Sequence, residues 1–444
     1  MKIVIAGAGQ VGTHLAKLLS RENQDITLID LNREHLDVLD ATCNLLTICG
    51  SPISFRVLRD AKVQSCDLFI AVTPEETTNL TACSQAKALG AKKTVARIDN
   101  YEFMHPDNAA FFSAHGVDTM IYPEYLAARE ILKALERNWV RNWCELHDGE
   151  LIVVGIKIRD NAKIAGVQLK DLSAISHNFH VSAIKRNHET IIPRGVDYCR
   201  ASDIIYFTTT RDHIDELRDI CGKQEVDIRK VMIMGGSRIA VRLIDMAGDR
   251  YKFRVIEGDR DRSLRVAELC PDSAVINADA RDTEILREEG IEEMDAFIAL
   301  SDRSETNILT CLATKEFGVR KTIAEVEDIQ YISEAESLNI GTIINKKLLA
   351  SSKIFQLMLD TDVDSSKFMA MADADVIELE ARPGSKITKA PVFKLGLSHD
   401  MTIAGLIRDG RGMLVEGSTQ IQGGDHVVIF CLAGAVHKIE RLFS

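Results

Sequence analysis

At 444 residues the chain exceeds one ordinary domain, and at roughly 150 residues per domain it calls for about three. Hydrophobic residues make up 46% and charged residues 27%, which supplies several cores and argues against a mainly disordered chain. With 54 basic against 66 acidic residues the net charge is −12, which argues against a nucleic-acid footprint and against a polybasic membrane patch.

The first segment, MKIVIAGAG, has one Lys, a short apolar run and then glycines, so it reads as a strand and not as a signal. Strands are expected at Ile3–Ala6, Ile26–Asp30, Leu45–Ile48, Leu68–Val72 and Thr94–Ile98. Helices at His14–Ser20, Arg33–Thr42, Ile53–Ala61 and Asn79–Leu89 separate them. That alternation predicts a doubly wound α/β domain with a parallel sheet and right-handed crossovers. Thr73-Pro74-Glu75-Glu76 reads as N-cap, Pro at the first helical position and a capping Glu. A longer helix, Pro123–Arg141, carries Leu126, Ile131, Leu135 and Trp139. It either packs on its own domain or serves as a crossover or dimer helix.

Residues 143–223 change character, with strands at Leu151–Ile158, Val181–Lys185 and Asp203–Thr208 and a final helix Ile214–Cys221. Gly222–Arg229 reads as a linker. The alternating pattern then restarts, and after a second linker at Asp360–Asp375 a second small α+β module follows. Its strands are Val376–Leu379, Thr402–Ile407 and Val427–Phe430, and its helix is Ala435–Leu442. The longest apolar runs, such as Leu151–Ile156 and Val427–Val436, fall far short of the roughly 20 residues that span a bilayer.

The restart is a repeat. Lys2–Gly7 reappears as Lys230–Gly235, and Asp67–Ala71 as Asp295–Ala299, both at an offset of 228. Thr78–Asn79 matches Thr306–Asn307, Gly90 matches Gly318, and Lys93–Thr94 matches Lys321–Thr322. Ala162–Leu172 resembles Ser385–Leu395, and Asp203–Phe207 resembles Asp425–Phe430. The chain is therefore a tandem duplication of a two-part unit. The boundaries are 1–142 (N1), 143–223 (C1), 229–359 (N2) and 372–444 (C2).

Gly7-Ala8-Gly9-Gln10-Val11-Gly12 follows a strand and opens a helix, the context that a G-x-G-x-x-G motif requires. Gly7 allows the tight turn, Gly9 lets a pyrophosphate approach the backbone, and Gly12 lets helix and strand pack closely. The helix N-terminus offers N–H groups and partial positive charge to phosphate. Asp30 ends the second strand, where a carboxylate accepts from both ribose hydroxyls and repels a 2′-phosphate; it favours NAD, or another adenosine nucleotide, over NADP. Gly50, Ser51, Thr73, Pro74 and Arg97 complete the candidate set in N1. Arg97 can face a phosphate, its competing reading being a surface salt bridge.

In N2 the motif is Gly235-Gly236-Ser237-Arg238-Ile239-Ala240, with Ser and Ala where N1 has Gly9 and Gly12. Ser237 costs room for a pyrophosphate, although its hydroxyl can donate to one. Glu257 takes the ribose-acid position, and Ala278, Asp279, Ser301 and Glu325 complete the N2 candidates. Glu325 aligns with Arg97 and would repel phosphate there, so N2 either takes a different ligand or relies on Arg238, Arg260 or Arg262.

Ten scattered cysteines form no CxxC pair and read as reduced, buried thiols. His177 and His180 lack an acidic or cysteine partner set, so no metal is expected there. C1 and C2 offer no His–Asp or Lys–Tyr constellation for catalysis, and they are duplicated along with the nucleotide folds. That favours a ligand-driven change of shape over an NAD-dependent oxidoreductase.

KIVIAGAGQVG, the acid in LID, IAVTPEETTNL with its repeat copy IALSDRSETNIL, and the N–C–N–C plan resemble the TrkA family over the whole chain. These are regulatory subunits of Trk potassium-uptake systems built from RCK (KTN) domains. The resemblance implies two Rossmann-like domains, each followed by a small RCK C-type module. It implies a gating protein that binds NAD(H) and ATP/ADP. As partner it implies a TrkH-like membrane potassium channel, with the chain forming a tetrameric ring on the cytoplasmic face. An RCK regulator of another monovalent-cation transporter is the alternative within the same architecture.

Overall fold

The computed structural model describes residues 1–20, 24–187, 189–362, 367–371, 374–432 and 435–443. The chain divides into two compact units. One comprises Met1–Leu132, Arg229–Ala335 and Ile343–Met358; the other comprises Lys133–Ile228, Glu336–Thr342 and Leu359–Ser444. The repeat therefore does not fold half by half: the two nucleotide-type domains share one unit and the two small modules share the other.

In N1 the strands are β1 (Lys2–Ala6), β2 (Asp25–Asp30), β3 (Leu46–Cys49), β4 (Leu68–Ala71), β5 (Lys93–Arg97) and β6 (Thr119–Ile121). The helices are α1 (Gln10–Ser20), α2 (Arg33–Asp40), α3 (Phe55–Asp60), α4 (Glu76–Leu89), α5 (Pro106–Ala114) and α6 (Pro123–Glu136). The sheet order is β3-β2-β1-β4-β5-β6, and the pairings are parallel. Helices on both faces explain why the central strands are continuous apolar runs: all four residues of Leu68–Ala71 are buried, as are Ile3, Val4, Ile5 and Ala6. Each such Ile or Leu contributes about 1.5–3 kcal/mol on burial.

C1 contributes β7 (Asn142–Leu146), β8 (Leu151–Lys157), β9 (Phe179–Arg186), β10 (Glu189–Ile191), β11 (Ile204–Thr209) and α7 (Ile214–Ile220). N2 repeats the N1 plan with β12 (Lys230–Met234), β13 (Lys252–Glu257), β14 (Ala274–Asn277), β15 (Ala296–Ala299), β16 (Lys321–Glu325) and β17 (Thr342–Ile344). Its helices are α8 (Arg238–Ala247), α9 (Arg260–Leu269), α10 (Thr283–Glu288), α11 (Ser304–Glu316), α12 (Gln330–Ser337) and α13 (Lys346–Asp362). The order β14-β13-β12-β15-β16-β17 is that of N1 strand for strand. C2 has β18 (Lys367–Met371), β19 (Ala374–Glu380), β20 (Met401–Arg408), β21 (Arg411–Leu414), β22 (His426–Leu432) and α14 (Val436–Phe443).

The C sheets, β10-β9-β11-β8-β7 and β18-β19-β22-β20-β21, have the same topology and are antiparallel. One core joins them: Cys144, Leu151 and Tyr206 of C1 pack with Val376, Val428 and Phe430 of C2. The Tyr206 and Phe430 rings lie 5.6 Å apart.

Three expectations need correction. Thr73 is not the N-cap of α4: the cap is Glu75, without a side-chain bond, because the Thr73 hydroxyl donates to Asn79 Oδ1 at 2.7 Å. In N2 the Ser301 hydroxyl likewise donates to Asn307 Oδ1, at 2.6 Å, and α11 is capped by Arg303. The helix after β6 ends at Glu136, and Trp139 packs on the C1 core instead of extending it. The second linker is shorter than expected, since α13 runs to Asp362 and β18 occupies Lys367–Met371; the expected C2 start at 372 lies outside the described residues.

Among the described residues no helix is long and apolar enough to cross a membrane. The cysteines are all free thiols; eight are buried, Cys43 is half-buried and Cys49 is exposed. Burial pushes Cys66, Cys199, Cys221 and Cys311 up to about 12. Thiolate is the reactive form, so an aromatic disulfide reagent is expected to titrate only Cys43 and Cys49 in the native protein and all ten in denaturant. Rapid native reaction of more than these two would contradict the packing.

Candidate nucleotide sites in the paired Rossmann units

In N1 the strand order reverses direction between β1 and β4, which opens a crevice at the carboxyl ends of the strands. Gly7 leaves β1 at φ +108° and donates to Ile29 O at 2.8 Å. A Cβ on Gly7 would sit 2.9 Å from Thr73 N, and one on Gly12 would sit 1.8 Å from Gly7 O. Both glycines are therefore dictated by the packing of turn and helix. Gly9 differs: a Cβ there would meet nothing within 4 Å. Internal packing does not demand that glycine, and its bare backbone faces open space. Ala8 and Val11 are buried anchors, and Gln10 is the exposed first residue of α1.

Asp30, at the end of β2, accepts from Ala8 N at 2.5 Å and from Asn32 N at 2.7 Å. One carboxylate thus fixes the glycine loop and the start of α2. A carboxylate has about four acceptor positions, so capacity remains for hydroxyl donors. Gly50 N donates to Asp30 O at 2.9 Å, and Ser51 follows it at the end of β3. Pro74 is exposed beside Thr73 on the far side of the crevice.

Asn79 is the residue that sequence reasoning missed as a site element. Its amide is buried and accepts from Thr73 N at 2.9 Å. It donates to Thr73 O at 3.0 Å and to Arg97 O at 2.9 Å, tying the ends of β4 and β5 together. Asn307 does the same in N2, bonding Ser301 N at 3.0 Å and Glu325 O at 2.8 Å. The signal was present in the sequence, as the Thr-Asn pair retained in both copies.

Arg97 makes the ion pair that was its competing reading, to Asp99 at 2.9 Å, with both side chains about a quarter exposed (23% and 24%). Its Nε is nevertheless buried without a hydrogen-bond partner among the described residues. Asp99 also faces N2: Arg238 Nη1 donates to Asp99 O at 3.1 Å and lies 3.8 Å from its carboxylate. Arg242 of α8 stacks over Tyr101 at 4.4 Å.

In N2 the same scaffold is built with altered chemistry. Gly235 takes φ +98°, and a Cβ there would sit 2.7 Å from Leu300 O. Glu257 accepts from Gly236 N at 2.6 Å and from Asp259 N at 2.7 Å, reproducing the two bonds of Asp30. Ser237, in the Gly9 position, caps α8, accepting from Ala240 N at 3.4 Å. The side chain that replaces Gly9 thus engages a helix-terminal N–H of the kind that phosphate would use. Ile239 is buried below it. Ala278 N donates to Glu257 O at 3.2 Å, and the Asp279 carboxylate is held by Arg281 at 2.6 Å.

Glu325 is 3% exposed, and Lys346, the first residue of α13, meets it at 3.1 Å and meets Glu327 at 2.5 Å. Burial works against charge on Lys346, but Glu325 and Glu327 outweigh it and raise its pKa. Lys347 pairs with Glu327 at 2.6 Å and donates to Gln10 of N1. Of the cations considered for N2, Arg238 reaches Asp99, Arg262 lies 3.9 Å from Glu257 and 3.5 Å from Asp302, and Arg260 is exposed.

The chain matches the TrkA-N domain model over residues 3–123 and 231–346 and the TrkA-C domain model over 153–222. It is 30% identical to the Trk system potassium uptake protein TrkA of Haemophilus influenzae, covering all of this chain and 99% of that one. It is 27% identical to the protein of the same name from Azorhizobium caulinodans, covering 100% and 98%. Among solved structures, the GsuK channel bound to NAD superposes with a TM-score of 0.60 at 14% identity, over all of this chain and 78% of that one. These relatives are potassium-uptake proteins and not dehydrogenases, so the oxidoreductase alternative falls. With two TrkA-N matches, a TrkA-C match and full-length relatives of that name, the chain belongs to the TrkA family.

Proposed function

We propose that the chain is the nucleotide-sensing regulatory subunit of a Trk-type potassium-uptake channel, and that N1 holds the stronger nucleotide site. The observation that carries this is the open space over Gly9, bordered by the α1 N-terminus and by an Asp30 carboxylate with acceptor capacity to spare. The family's potassium-uptake relatives and the NAD-bound channel of like fold support it. On this reading NAD(H) or ATP/ADP lies with its phosphates at Gly7–Gly12 and its ribose on Asp30. N2 takes a mononucleotide, or takes its ligand weakly, because Ser237 caps the helix. The chain assembles as a tetrameric ring on a TrkH-like partner at the cytoplasmic face.

The coupling runs through Arg97. A phosphate in the N1 crevice competes with Asp99 for the Arg97 guanidinium, and Asp99 is also the anchor of Arg238 in N2. Nucleotides that draw Arg97 differently then favour different N1–N2 geometries, which is the differential affinity that a population shift needs. Titration calorimetry with NADH and ATP tests the site. Asp30→Ala is expected to weaken binding by at least about 100-fold, the worth of two hydrogen bonds to a charged acceptor at about 1.5–3 kcal/mol each. Unchanged affinity in that variant would remove the assignment.

A further inference from the structure

We propose that His147, Glu378 and His426 form a binding site for one divalent transition-metal ion of the zinc class, joining C1 to C2. None of the three belongs to the nucleotide crevices.

Strand alternation puts the carboxylate in an unexpected place. Ala374, Val376 and Glu378 are alternate residues of β19, 2%, 0% and 2% exposed, on the face that packs against C1. His426, Val428 and Phe430 are alternate residues of the neighbouring β22, and the last two belong to that same core. The row of side chains that packs sheet on sheet thus ends in an acid and an imidazole. A carboxylate on an apolar face costs several kcal/mol unless it is paired or holds a metal. His147 arrives from C1, directly after Leu146 at the end of β7, on left-handed backbone (φ 47°) continued by Asp148 (φ 55°).

The geometry is that of a ligand set. Glu378 Oε1 lies 3.5 Å from His147 Nδ1 and 3.3 Å from His426 Nδ1, and one ligand atom from each residue falls within 4.8 Å of the others. Zinc bound to N and O donors at about 2.0–2.1 Å in a tetrahedron sets its ligands about 3.3–3.4 Å apart. Two of the three separations already match that edge. The hydrogen bonding points the same way. Glu378 Oε2 and His426 Nδ1 are buried without a hydrogen-bond partner among the described residues, so the close approach of His426 to the acid is not a hydrogen bond. Two imidazoles and one carboxylate, with no thiolate, suit zinc or a neighbouring first-row ion. The repeat makes the site single: C1 has Gly155 and Ile204 in the strand positions that C2 fills with Glu378 and His426. The competing arrangement is an ion cluster in which protonated imidazoles face the carboxylate.

The test uses the full chain, stripped with chelator and titrated with zinc chloride by calorimetry, and with cobalt(II) for its ligand-field absorption. One equivalent is expected to bind. Glu378→Gln and the double variant His147→Gln/His426→Gln are expected to weaken it at least about 100-fold, beyond the 10–100-fold typical of lost second-shell partners. Glu378→Gln is close to isosteric and removes a buried charge, so its metal-free melting temperature should not fall below wild type. Zinc should raise the melting temperature of wild type and leave both variants unmoved. Absence of zinc binding to wild type, or equal affinity in the double variant, would overturn the proposal; the former leaves the imidazolium–carboxylate cluster.

Discussion

Lys346→Met is expected to destabilise the protein by about 3–5 kcal/mol, the usual consequence of leaving one member of a buried ion pair alone. The acid left behind is Glu325, 3% exposed at the end of β16, with Lys346 at 3.1 Å as its paired cation. Glu327 loses less, because Lys347 remains 2.6 Å from it. Adding Glu325→Gln to Lys346→Met removes the stranded charge and should recover more than half of the loss. Urea unfolding of wild type, single and double variants measures this. A single variant as stable as wild type, or a double variant no better than the single, would show that the pair does not carry the end of this strand.

The second large effect separates two glycines of one motif. Gly12→Ala places a methyl group 1.8 Å from Gly7 O, which the backbone must move to accept. Overpacking of that kind costs about 1–3 kcal/mol or more. That variant should lose both stability and nucleotide binding. Gly9→Ala meets nothing within 4 Å, and Gly9 is not among the positive-φ glycines, so stability should stay within about 0.5 kcal/mol of wild type. Its methyl group nevertheless stands where the phosphates would approach, and affinity should fall by about 10-fold or more. Thermal unfolding and calorimetry on the same preparations read both quantities. Normal nucleotide affinity in Gly9→Ala would place the ligand elsewhere.

Much of this architecture was legible because it rests on local chemistry. Buried parallel strands must be apolar runs, so β1, β2, β4 and β5 announced themselves, and the glycine loop identified the turn. The 228-residue offset gave the duplication directly, and Asn79 and Asn307 show that it holds to single hydrogen bonds. Weaker signals failed where an element is too short to carry a pattern. Thr119–Ile121 has three residues, and edge strands such as Glu189–Ile191 pair on one side only. Thr73 misled because Thr-Pro-Glu-Glu is a good capping box in isolation, and a side chain six residues on captures its hydroxyl. The partner of Glu325 lies on a different element, and the grouping of N1 with N2 depends on surfaces that no local window contains.

Linking the two nucleotide folds in one chain lets positions that the repeat equates carry opposite or unmatched charge. At the 228-residue offset Gln10 corresponds to Arg238 and Arg97 to Glu325, and the starts of α6 and α13 match Glu124 to Lys347. In the observed pairing Arg238 meets Asp99 and Lys347 meets Gln10. The contact inside one chain is therefore built from unlike residues at positions that the repeat equates, so the two copies have diverged at the surface through which they meet.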